Sequence, residues 1–223
     1  MFKYQIHTHT APTSKCARTS TAELAQALHE GGYSGCVVTN HFYHGNTGVS
    51  RELSWEEFVA PYERDYLECK RAGEQYGLDI IFGIEEGVEN NAEILCYGVT
   101  PELLYSHPEL RECNNELWCK VMRENGVVVI QAHPYRSGRH PLPLELIDGI
   151  EVYNHSHSPE YNDSAEIFAA EHPELILTSG ADTHFMHDVA FAGIESQERI
   201  RDGKDLVRIL KERKYQLIKS WRT

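Results

Sequence analysis

Residues 1–10 read MFKYQIHTHT, and the meaning given to this stretch decides how the rest of the chain is read. Phe2 to Ile6 is short, largely apolar and β-prone, so it forms a strand. Directly after it His7 and His9 sit two residues apart, which puts two imidazoles on one side of an extended chain, an arrangement suited to a single cation. With thirteen histidines in the chain, an isolated His-x-His pair is equally well a pair of hydrogen-bonded loop residues. Whether the placement recurs decides between the two.

Strand-like runs follow at Gly35 to Thr39, Ile80 to Ile84, Ile94 to Tyr97, Val127 to Gln131, Ile150 to Tyr153 and Leu175 to Thr178. His41 follows the second strand, Glu85 and Glu86 the third, His133 the fifth, His157 the sixth, and Asp182 with His184 the seventh. Between the runs lie helical segments. Ser20 with Glu23 and Ser54 with Glu57 have capping-box spacing. Trp55, Phe58, Tyr62, Tyr66 and Leu67 recur at helical spacing and predict a core-facing stripe. A helix is predicted from Arg111 to Glu124, stopped by Asn125-Gly126, and the tail reads as a helix over Leu206 to Leu210 and a strand over Tyr215 to Ile218. This alternation predicts βα units around a parallel sheet or barrel. In a parallel barrel all strand C-termini open on one face, so the polar residues that follow the strands converge there.

Composition narrows the function. A chain of 223 residues with 41% hydrophobic residues is expected to form one α/β domain over 1–223. Its formal charge of -13, without a cluster of Lys and Arg, predicts repulsion of polyanions and no stable binding of duplex nucleic acid. Six cysteines without a CxxC pair suggest free thiols in a reducing cytoplasm. No signal peptide and no membrane-spanning stretch is evident, so a soluble protein without a membrane partner is expected.

Three motifs carry the chemistry. In GIEEGVE (83–89) Glu85, Glu86 and Glu89 compete for the role of a carboxylate bridging two cations, the alternative being an acidic rim loop. QAHPYR (131–136) offers His133 as a ligand and Arg136 as either a phosphate partner or an ordinary surface residue. In SGADTH (179–184) Asp182 and His184, two apart, face one centre. His29, His107, His140, His172 and His187 lack such placement and read as surface residues.

Taken together, HTHT, TNH (39–41), GIEE, QAHPYR, GIEVY followed by a histidine, and SGADTH resemble, in order and approximate spacing, the PHP family, named for polymerases and histidinol phosphatase. The resemblance runs from Tyr4 to about Phe185. It implies a distorted (β/α)7 barrel and two to three divalent metal ions (Zn, Mn or Fe) hydrolysing phosphate esters. It further implies that His7, His9, Glu85 and Asp182 bind the first metal, that Glu85 bridges to a second on His133 and His157, and that His41 and His184 serve a third. His157 is preferred to His155 because the family's ligand lies six residues beyond the glutamate of the EVY pattern, here Glu151. The chain departs from the family where an Asp or His is usual, five or six residues past the HxH pair. Ser14 and Lys15 stand there, with Cys16 next, either as a thiolate ligand or as a structural cysteine beside a weak or empty third site.

The expected reaction is attack of a metal-bridging hydroxide on the phosphorus of a small phosphorylated substrate, a monoester or nucleotide. Asp182 accepts the proton, and Arg136 with Arg18 orients the phosphoryl group. The alternatives are a metal-dependent hydrolase of an amide-type bond and a non-catalytic scaffold or ligand-binding domain.

Overall fold

The computed structural model describes residues 1–220. Among them nine strands form one sheet: β1 (Phe2–Thr8), β2 (Gly35–Val38), β3 (Asp79–Gly87), β4 (Glu93–Tyr97), β5 (Val128–Ala132), β6 (Gly149–Asn154), β7 (Ile176–Gly180), β8 (Ala192–Ser196) and β9 (Tyr215–Lys219), in the order β7-β6-β5-β4-β3-β2-β1-β8-β9. The wall closes because the segment after β7 returns to β1. Thr183 N–H donates to the His7 carbonyl at 3.2 Å, and His9 N–H donates to the Thr183 carbonyl at 3.0 Å. On the other side of β1, β8 runs antiparallel to its first half, from Phe2 against Ser196 to Tyr4 against Ile194, and β9 pairs antiparallel with β8. β9 is tied to β7 by Ser179 Oγ–H on the Ile218 carbonyl and Tyr215 O–H on the Leu177 carbonyl.

Alternation along the strands sorts the side chains. Tyr4, Ile6, Val37, Ile81, Leu95, Tyr97, Val128, Ile130 and Ile176 fill the barrel, and Leu206, Ile209 and Leu210 of α6 (Gly203–Glu212) join this cluster. The opposite face of the wall carries Phe82, Ile84, Ile94, Cys96, Val129, Ile150 and Val152 against the helices α2 (Trp55–Glu74), α3 (Pro101–Ser106), α4 (Asn115–Glu124) and α5 (Pro159–Glu171). α1 (Thr21–Glu30) buries Leu24 and Leu28 with Cys36, Val38 and Ile80. Both expected capping boxes form, at Ser20 and Ser54. The expected aromatic stripe splits: Trp55, Phe58 and Tyr62 are buried in the core, whereas Leu67 is exposed.

The distorted α/β barrel expected from the sequence is the fold observed, with three local differences. β4 runs antiparallel to both β3 and β5, because the link from Gly87 to Glu93 is far too short for a parallel crossover, which needs a dozen or more residues. β8, which has no counterpart in the sequence expectation, contains Gly193. That residue has φ 129°, and a Cβ on it would lie 2.3 Å from the Tyr4 carbonyl oxygen, so a strand that must approach β1 closely carries a glycine where strand patterning asks for a side chain. The helix predicted from Arg111 starts instead at Asn115, where the Asn114 side chain accepts the Leu117 N–H; residues 108–112 form a separate 3-10 turn.

Candidate metal centre

The histidines of the first strand reach the barrel mouth through a bulge. Gln5 is level with Cys36 but Thr8 with Val38, so β1 carries one extra residue, and the side-chain parity that points Tyr4 and Ile6 inward is reset to turn His7 and His9 inward as well. In β3 no reset is needed. Ile81 faces the interior, so Glu85, four residues on, does too, while Glu86 turns away and accepts His44 N–H at 2.8 Å, with its Oε1 2.6 Å from His44 Nδ1. The pleat therefore separates Glu85 from Glu86, and Glu89 is exposed in a turn. His133 and Asp182 enter by another route. Both have left-handed backbones, with φ 30° and 52°, the kind of strain that persists only where surrounding structure enforces it.

These side chains meet. His7 Nε2 lies 3.3 Å from Glu85 Oε1 and 3.5 Å from Asp182 Oδ1; His9 Nε2 lies 3.4 Å from Glu85 Oε2 and 3.2 Å from Asp182 Oδ1. His133 Nε2 is 3.4 Å from Glu85 Oε1, and His157 Nε2 is 3.5 Å from Asp182 Oδ2. His41 Nδ1 is 2.8 Å from Glu85 Oε2, and His184 Nδ1 is 3.4 Å from Asp182 Oδ1. His155 is directed elsewhere, its ring stacked on Phe191 at 4.5 Å.

The donor set fits divalent cations. His7 Nε2, His9 Nε2, His41 Nδ1, His157 Nε2 and both carboxylate oxygens of Glu85 are buried without a hydrogen-bond partner, an expensive condition for polar atoms. The spacings of 3.2–3.5 Å match donors about 2.0–2.2 Å from one tetrahedral ion, which lie roughly 3.3–3.6 Å apart. The imidazoles are also oriented for it. His7 Nδ1–H donates to Glu151 Oε1 at 2.9 Å, leaving the Nε2 lone pair inward. Ser14 Oγ–H donates to Asn40 Oδ1, so Ser14 Oγ receives the His9 Nδ1–H at 3.1 Å and frees His9 Nε2 in the same way.

Charge gives the same answer. Burial favours protonated carboxyls, yet His41 and His7 hold Glu85 well below the usual carboxylate range, and His7, His157 and His9 do so for Asp182. Burial likewise disfavours imidazolium, but Glu151, Asp182 and Glu85 pull His7 well above its ordinary value, and Glu85 with Cys16 takes His41 to about 11. His9, buried and facing His41, falls to about 3. Two buried carboxylates require compensating positive charge, which protons on His7 and His41 would supply. A cation supplies it in their place.

Three residues outside the sequence expectation belong to the site. Glu151 orients His7 and accepts His133 N–H at 3.1 Å. Glu93, at the start of antiparallel β4, lies on the same rim as the C-termini of the parallel strands, with Oε1 3.8 Å from His41 Nδ1 and Oε2 3.6 Å from His133 Nε2. Arg139 donates to Glu93 Oε2 at 2.8 Å, while Arg136 stands 3.5 Å from the same oxygen. The signal for Glu93 was the short β3–β4 link, which dictates an antiparallel strand beginning at this rim. Arg18 is exposed and its Nη1 donates to the carbonyls of Lys15, Cys16 and Ala17, while its N–H donates to the His184 carbonyl. Cys16 Sγ lies 2.9 Å from His184 Nε2. Burial raises its thiol, but His184 and His41 outweigh that and bring it down to about 6.

No protein-family model and no curated protein sequence matches the chain. Solved structures do. A two-domain protein from Bacteroides vulgatus containing a predicted PHP-like metal-dependent phosphoesterase superposes with a TM-score of 0.67 at 14% identity, over 98% of this chain and 65% of that one. An amidohydrolase from Chromobacterium violaceum, solved with bound sulfate and no metal, superposes with a TM-score of 0.61 at 15% identity over 96% and 97%. Endonuclease Q, in complex with a 27-mer duplex that places an abasic lesion at the active site, superposes with a TM-score of 0.60 at 14% identity over 94% of this chain and 56% of that one. What is shared at these identities is the fold, a distorted α/β barrel. The endonuclease complex corrects one expectation. A negative net charge was taken to exclude duplex nucleic acid, yet this barrel occurs in a protein that holds a duplex at its active site. Net charge acts through a field screened over roughly 10 Å, and contacts at the barrel mouth or from an additional domain are decided locally.

No helix among the described residues is long and apolar enough to cross a membrane.

Proposed function

We propose that the chain, as one barrel domain over 1–223, is a metal-dependent hydrolase of phosphate esters, small monoesters or nucleotides, using two to three divalent ions of the zinc, manganese or iron type. The observation that carries this reading is the convergence of buried, unpartnered imidazole nitrogens on Glu85 and Asp182. His7, His9, Glu85 and Asp182 would hold one cation, and His133 and His157, with Glu85, a second. Bound cations supply a lowered pKa for attacking water and neutralise charge on the transferring group.

The remaining work falls to the chain itself. Asp182 Oδ2, which faces His157 at 3.5 Å, takes the proton of the attacking water. Arg136, the more exposed of the two guanidiniums on Glu93, turns to the phosphoryl oxygens, and Arg18 adds a cation at the same rim. Glu151 and Ser14 keep the His7 and His9 tautomers fixed through the cycle.

A second reading is hydrolysis of an amide-type bond, favoured by the likeness to the amidohydrolase. The test is metal content by elemental analysis together with hydrolysis of an aryl phosphate, an aryl amide and a short duplex containing an abasic site, by wild type and by His133→Ala. Two or more metals per chain, with phosphate ester turnover lost in the variant, support the reading. Turnover of the amide alone gives the second. A protein that binds no metal and hydrolyses none of the three is a scaffold, and the proposal fails.

A further inference from the structure

A cysteine stands against the cluster of histidines, Cys16 beside His184. His9, His41 and His184 bring nitrogens within 4.8 Å of one another, with ring centroids 4.3 Å apart for His9 and His41 and 4.5 Å for His9 and His184. His41 Nδ1 is buried without a hydrogen-bond partner and lies 2.8 Å from Glu85 Oε2, so His41 stands between the two sets of donors. His184 Nδ1–H donates to the Asp182 carbonyl at 2.8 Å, so its Nε2 carries a lone pair, and that lone pair meets Cys16 Sγ at 2.9 Å. Backbone bonds hold the thiol in place: Ala17 N–H donates to the Ser14 carbonyl, and Arg18 N–H to the His184 carbonyl.

We propose that Cys16 is a thiolate ligand which, with His41 and His184, binds a cation of zinc type, distinct in chemistry from the carboxylate-rich pair beside it. The inference rests on the metal-centre reading given above. On binding, the S–H bond breaks, the proton leaves to solvent, and sulfur and nitrogen each donate a lone pair to the cation. A thiolate with imidazoles selects zinc, cobalt or copper over manganese and magnesium, whereas Glu85 and Asp182 with imidazoles accept the harder ions. One barrel mouth thus carries two classes of site, and manganese in excess leaves the Cys16 site to zinc.

The experiment is cobalt(II) titration of chelator-stripped full-length protein, followed by near-ultraviolet absorption and elemental analysis, for wild type and Cys16→Ser. Wild type shows a thiolate-to-cobalt charge-transfer band. Cys16→Ser loses the band and drops from about three to about two cations per chain. Cobalt bound without the band, or a band unchanged in Cys16→Ser, overturns the role of Cys16 while leaving the metal centre standing. No cobalt bound at all overturns both.

A second readout needs no variant. Cys16 and Cys113 are the partly exposed cysteines, the other four being buried. Zinc protects Cys16 from alkylation and leaves Cys113 as reactive as before. Equal alkylation of Cys16 with and without zinc overturns the proposal.

Discussion

His7 Nδ1 and Glu151 Oε1 lie 2.9 Å apart with both side chains buried, and Glu151 Oε2 accepts the N–H of His133. One carboxylate therefore sets the tautomer of a first-strand histidine and the backbone of a fifth-strand one. The room for it comes from Gly180, where a Cβ would lie 2.3 Å from Glu151 Oε1 and 2.5 Å from His7 Cβ. Glu151→Gln is expected to weaken cation binding about 10–100-fold, and Gly180→Ala to act in the same direction by displacing the pair. Metal titration of the stripped proteins, monitored by calorimetry, checks this. An unchanged affinity in both variants would show that the pair does not orient a ligand.

The neighbour of His41 is an anchor. Phe42 is fully buried, with ring centroids 4.8–5.9 Å from Tyr62, Phe58, Trp55 and Trp118. Phe42→Ala is expected to cost about 3–5 kcal/mol in urea unfolding and to lower cation stoichiometry by loosening His41. A cost below about 1 kcal/mol would mean that the aromatic cluster closes over the gap.

Stability should depend on pH in opposite ways with and without cations. In the metal-free protein His7, His41 and His184 have raised pKa values, His41 to about 11. Their contribution is complete below the unfolded value near 6.5 and is lost as pH rises towards the folded values. Cys16, brought down to about 6, works the other way between 6 and 9, one group against three. The depressed carboxyls of Glu85 and Asp182 contribute above about pH 4 and are lost as pH falls below it. Urea midpoints of stripped protein should therefore decline from pH 6.5 to 9.5. With metal present they should hold or rise, because ligand protons compete with cations, and for the same reason turnover should fall as pH drops through about 6. A stripped protein that gains stability over pH 6.5–9.5 would refute the charge assignment.

The guanidiniums separate the two hydrolytic readings. Arg136→Ala is expected to lower turnover of a phosphate ester roughly 10²-fold and to leave an amide substrate nearly unaffected. Arg139→Ala should resemble it only in part, since Arg139 is the closer partner of Glu93. Equal losses on both substrates would show that these residues hold the loop rather than the phosphoryl group.

Most of the candidate ligands could be read from the sequence because they follow strands that share one direction. His7, His9, His41, Glu85, His133, Asp182 and His184 each stand at or just beyond a strand end, and a common rim gathers them whatever their separation in sequence. Glu93 escaped this rule because it begins a strand of opposite direction, although the six-residue step from Gly87 already forbade a crossover. Glu151 escaped it because it lies within a strand, where the unexplained feature was a carboxylate inside the apolar run GIEVY. Arg139 sits in an irregular loop beyond a turn with Ser137 at φ 53°, and no periodicity locates such a side chain.

The pairing of Thr183 with His7 and His9 means that the barrel is sewn shut by the residues it exists to display. Cations held between His7, His9 and Asp182 would rivet the first strand to the return from the seventh, joining the two ends of the wall. Emptying the site then unfastens a seam, and the amides of His9 and Thr183 are where such slackening would first admit solvent.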